Sequence, residues 1–166
     1  MVTRYSHAPI NSAPEFLAKL KRERQRFKRG GKHTADHIFN FYVTGWHITH
    51  WIWKEHIQGS ALQSTVGPTL MLFQRWVRDT GKGPLMRCYI IATGGKHYER
   101  DQPGARDATE FDVSAQTKLT RSGTEWLFEF LDTNTRQEIE PSVPVTDDME
   151  AVVQFWSDFL KQNNIR

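Results

Sequence analysis

Cysteine is almost missing from this chain: Cys88 stands alone, so no intramolecular disulfide can form. A reducing, cytoplasmic setting is the expectation, since disulfide-built domains belong to oxidising compartments. Long apolar runs are missing too. The greasiest stretch, Ile38 to Ile57, is broken by Asn40, Thr44, His47, Thr49, His50, Lys54 and Glu55, well short of the ~18 consecutive apolar residues that mark a membrane span. Met1-Val2-Thr3-Arg4 opens no apolar run of signal-peptide type. Also absent are a phosphate-binding glycine loop ending in Gly-Lys-Ser/Thr, a dinucleotide fingerprint, a paired-cysteine zinc pattern and a Gly-x-Ser-x-Gly elbow. These absences imply no membrane role and no cofactor.

Aromatics are plentiful. Six Trp and ten Phe in 166 residues are enough to build a packed core without disulfides or metals, and no repeat or linker divides the chain. One domain over residues 1–166 is expected. The net charge of +3 is unevenly placed. Residues 1–33 hold nine Lys or Arg against two Glu, a balance of +7; the remainder holds 13 against 17, a balance of −4. Within the run from Lys19 to Lys32, Lys19, Arg22, Arg26, Lys28, Arg29 and Lys32 are candidates for contact with RNA or another polyanion. The simpler reading of such a run is a solvated helix face.

The periodicity predicts an α+β fold: an N-terminal four-helix bundle, a small antiparallel meander of about three strands, and a C-terminal amphipathic helix. Ser12 and Glu15 have the form of a capping box, and Phe16, Leu20 and Phe27 continue a helix over 13–28, ended by Gly30-Gly31. Thr34 is placed to cap a second helix over 35–57. Its Ile38, Phe39, Phe41, Tyr42, Trp46, Ile48, Ile52 and Trp53 mark it as a central helix. A polar stripe of Asp36 or His37, Asn40, Thr44, His47, Lys54 and Gln58 must be hydrogen-bonded or line a cavity if that helix is enclosed. A third helix over 69–78 is broken by Gly81-Lys82-Gly83-Pro84, and Pro84 opens a fourth that stops at Gly94-Gly95. Period-two alternation then predicts one strand through Phe111, Val113, Thr117 and Leu119, a second through Trp126, Phe128 and Phe130, and a third near 136–140. Asp147 and Glu150 are placed to cap a last helix carrying Met149, Val152, Val153, Trp156, Phe159 and Leu160.

Two histidine-bearing segments carry candidate chemistry. His47 and His50, three residues apart, project from neighbouring turns and would chelate a metal if His97 or another third ligand arrived. An imidazole hydrogen-bonded among tryptophans is the commoner outcome for such a segment. Gly94-Gly95-Lys96-His97-Tyr98 places an ammonium beside an imidazole where the chain leaves a helix. There His97 suits general acid–base work and Lys96 would depress its pKa, or both are simply cations at a helix C-terminus.

The segment Tyr42-Val43-Thr44-Gly45-Trp46-His47-Ile48-Thr49-His50-Trp51 resembles an AWHxxDW motif, and Ala92-Thr93-Gly94-Gly95-Lys96-His97-Tyr98 an ANGxKHF motif. Both motifs belong to a family of small uncharacterised bacterial proteins often encoded near mobile or defence elements. The resemblance covers mainly residues 36–100 and departs at His50, where that family has an acid, and at Thr93, where it has Asn. It implies that His47, Lys96 and His97 share one site. The helical part is also similar to HEPN domains, bundles found in RNases and toxins. HEPN nucleases pair an Arg with a His a few positions later, whereas Arg87 stands ten positions before His97.

These resemblances imply a HEPN-like protein that binds RNA or a nucleotide. If it cleaves, metal-independent attack by the 2′-hydroxyl is implied, with His97 as base and Lys96 or Arg87 stabilising the anion. Two other readings stand beside it. One is a non-enzymatic interaction module of a phage or defence system; the other is a metal-dependent hydrolase using His47, His50 and His97. A homodimer is compatible with all three, since the aromatics would serve an interface as well as a core.

Overall fold

The computed structural model describes residues 10, 12–94, 110–112, 117–132, 134, 135 and 137–166. The chain is an α+β protein. Helix α1 spans Ala13–Arg29, and Ser12 caps it by accepting from the Glu15 amide. Gly30 and Gly31, both at positive φ, turn the chain into α2, Thr34–Ile52. A π-helical turn, Trp53–Ile57, extends α2 by closing Gln58 N onto Trp53 O at 2.9 Å. A short α3, Gln63–Val66, leads to α4, Leu70–Gly94. Four strands follow: β1 Glu110–Asp112, β2 Thr117–Ser122, β3 Glu125–Leu131 and β4 Glu138–Pro144. Helix α5, Val145–Gln162, begins directly where β4 ends.

The sheet is an antiparallel meander in the order β1-β2-β3-β4. It has one strand more than expected: the alternation through Phe111 and Leu119 belongs to two strands that pair with each other, Phe111 opposite Leu119. A three-residue edge strand is too short to show its own period. Strand β4 carries Pro141 and Pro144, and the sheet edge tolerates both because an outer strand can leave amide positions unpaired.

Helix α2 lies at the centre. Helix α1 runs antiparallel along one side, with Phe16 against Trp51 at 5.2 Å. Helix α4 covers another side through Trp46–Tyr89 and Trp53–Phe73 ring contacts. Phe128 of β3 meets Tyr42 edge-on at 5.2 Å, and Trp156 of α5 donates its indole N–H to the Gly45 carbonyl at 3.0 Å. Buried side chains from all these elements form a single hydrophobic cluster. Each fully buried large apolar residue in it contributes roughly 1.5–3 kcal/mol of transfer free energy.

Helix α4 is two helical segments joined at a break. Lys82 sits at φ 50°, ψ −140°, inside the Gly81–Pro84 segment. Beyond the break, Arg87 turns inward and pairs with Asp148 of α5 through Nε at 2.9 Å and through Nη2. Tyr42 donates to the same carboxylate at 2.7 Å, and the guanidinium lies over the rings of Phe128 and Phe130. A Cβ at Gly83 would stand 3.1 Å from the Arg87 guanidinium, so that close approach depends on glycine.

Several local expectations need correction. Thr34 is inside α2 and binds the Gly31 carbonyl; His33 holds the cap position without a side-chain bond. Pro144 holds the corresponding position of α5, while Asp148 points into the core and Glu150 binds Arg24 of α1. Phe39, expected in the core, is exposed. The polar stripe of α2 is not enclosed: Asp36, Asn40 and His47 are exposed, and only Thr44 is buried. No helix among the described residues is long and apolar enough to cross a membrane.

Candidate nucleic-acid interface

The sequence candidates fall into separate places. On the outer side of α2, the His47 and His50 rings stand 6.1 Å apart and nearly perpendicular. Lys19 of α1 reaches across and donates to Thr44 Oγ1. Partial burial lowers the pKa of Lys19, and partial burial also lowers that of His47, reinforced by the nearby charges of His50 and Lys19. A charged imidazole is therefore disfavoured at His47. Among the described residues no three His, Cys, Asp or Glu side chains are grouped to hold a metal ion. Lys96 and His97 lie outside the described residues.

Arg87 is placed where it serves the fold. It is 8% exposed and its partner Asp148 is 2% exposed, so the guanidinium is spent on an internal carboxylate. The hydrogen bonds and charge of Asp148 keep the Arg87 pKa above its ordinary value despite burial. Burial pushes the Tyr42 hydroxyl and the Cys88 thiol well up, with the Asp148 charge adding to both.

The basic run divides as well. Lys19 is bonded to Thr44, Arg24 to Glu150, and Arg26 to the buried Glu23 at 2.8 Å. Arg22, Lys28, Arg29 and Lys32 are exposed, and among the described residues no ion pair joins them to an acid.

Lys28 and Lys32 line a cleft of about 540 Å³ at the far end of α1. The Gly30-Gly31 turn forms one wall, and the β2–β3 hairpin forms the opposite wall through Arg121, Thr124 and Trp126. Thr34 of α2 and Thr146 of α5 complete it. The hairpin brings Arg121 here because it pairs with Trp126 across the strands, and Arg121 Nε donates to the Gly123 carbonyl at 3.0 Å. Among the described residues no carboxylate and no histidine lines the cleft.

The cleft also borders two helix starts. The first turns of α2 and α5 border it and neither has a side-chain cap, but the Thr34 amide already donates to the Gly31 carbonyl at 3.2 Å, and the acids Asp36, Asp147 and Asp148 occupy those turns. Three cations converge where Coulomb attraction is less screened than on a convex surface. Phe27 and Trp126 are each 9% exposed, so they form a floor and offer little ring face for stacking. Lys28 and Lys32 were visible as candidates in the sequence, whereas Arg121, Thr124 and Thr146 were not, being 90 or more residues from Lys28.

No family model, no curated protein and no solved structure matches the chain.

Proposed function

We propose that the protein binds RNA or a nucleotide through its phosphate groups, held in the cleft between the α1–α2 corner and the β2–β3 hairpin. One observation carries this reading: Lys28, Lys32 and Arg121 surround a concavity whose lining, among the described residues, contains no acid. A volume of about 540 Å³ lies within the roughly 300–1,000 Å³ of ordinary ligand pockets. Binding is better supported than turnover, since among the described residues no histidine or carboxylate lines the cleft and Arg87, the proposed stabiliser of an anionic transition state, is committed to Asp148.

Fluorescence anisotropy with a labelled single-stranded RNA, repeated at several salt concentrations, tests the proposal. The double variant Lys28→Glu/Arg121→Glu should bind at least about tenfold more weakly, with a log–log salt slope shallower by about 1.4 for two lost phosphate contacts. Unchanged affinity in that variant would remove the cleft from consideration.

A further inference from the structure

We infer that the cleft is one end of a longer track and that its ligand is a segment of single-stranded nucleic acid, not a mononucleotide. This rests on the phosphate-binding reading of the cleft and narrows it to one ligand class.

A row of cations runs along the flank of α1 that faces α5. Lys21 and Lys28 are seven residues apart and so share that flank, about 10 Å apart at 1.5 Å per residue. Lys21 and Lys161 line a second groove of about 350 Å³ between α1 and α5, whose walls include Leu17, Leu160 and Ile165. Arg24 lies between Lys21 and Lys28 in the same row. The cations thus follow one another from Lys161 and Lys21, past Arg24 and Lys28, to Lys32 and Arg121.

A mononucleotide fills one end of such a row and leaves the rest unused. A single strand carries a charge at every residue and can place phosphates at both ends of the row, beside Lys21 and Lys161 and beside Lys28, Lys32 and Arg121. Both grooves are of small-ligand size, which suits one strand entering them and leaves duplex phosphates on the rim.

One carboxylate interrupts the row. Glu150 of α5, 56% exposed, holds the guanidinium of Arg24, which is only 17% exposed. The pair neutralises the centre of the track, and a strand crossing it must meet Glu150. Farther along α5, Asp158 accepts from Gln154 Nε2.

The experiment compares a dinucleotide with an RNA of about ten nucleotides, in anisotropy titrations on the full chain. The track variant is Lys21→Glu/Lys161→Glu. A control of equal charge change on the solvent-facing side of α1, one residue on from Lys21 and Lys28, is Arg22→Glu/Arg29→Glu. All four side chains are exposed, so neither variant disturbs packing. The track variant should weaken the longer RNA at least about fivefold, flatten its salt slope by about 1.4, and leave the dinucleotide unchanged. The control should change the longer RNA less than about twofold. Glu150→Gln should tighten the longer RNA about threefold by freeing Arg24. Equal affinity for both lengths, equal loss in the control, or equally tight binding of a duplex would overturn the track while leaving the cleft in place. No binding of either RNA by the unaltered protein would overturn the phosphate reading itself.

Discussion

Asp148 sits where three parts of the chain converge, accepting from Arg87 of α4 and from Tyr42 of α2 while belonging to α5. A buried ion pair contributes little net stability by itself, because desolvation offsets its attraction. Breaking it is another matter, since one charge is then left in the core. Asp148→Ala should cost about 3–5 kcal/mol in urea denaturation, and Arg87→Met/Asp148→Leu should recover most of that loss by removing both charges. A loss in the single variant below about 1 kcal/mol would mean that water reaches Arg87. In the sequence Asp148 is one of several acids in a first helical turn, indistinguishable from Asp147, which is exposed. Only the fold separates them, because one faces α4 and the other faces solvent.

At the scale of elements, local chemistry was legible wherever a residue acts on its own neighbours. Ser12 starts α1, Gly30 and Gly31 end it, and the glycines around Lys82 with Pro84 break α4 where the sequence placed the break. Legibility failed where geometry is set by a partner. Thr34 was read as a cap, yet its hydroxyl folds back to Gly31; β1 was merged with β2 because their residues continue one alternation. The break itself is testable. Lys82 is an exposed non-glycine residue at φ 50°, ψ −140°, a conformation that glycine occupies more readily. Strain of roughly 1–3 kcal/mol outweighs the added chain entropy of glycine, so Lys82→Gly should raise stability by about 1 kcal/mol in denaturant titration. A decrease would show that the lysine conformation is held without strain.

For the whole molecule, the α+β arrangement was legible because amphipathic periods survive in the sequence, whereas the cleft was only half legible. Lys28 and Lys32 stand out within a basic run, but Arg121 becomes their neighbour only after the sheet docks beside the α1–α2 corner. Helix α5 does that docking. It holds α1 through Glu150, α2 through Trp156 and Asp148, the first half of α4 through Phe159 against Phe73 and Trp76, and it continues directly from β4. With one helix shared by every other layer, neither the helical part nor the sheet can melt by itself, and heat should dissolve the molecule in a single cooperative step. Calorimetric and van't Hoff enthalpies should then agree; a ratio well above one would mean that the sheet and the helices unfold as separate units.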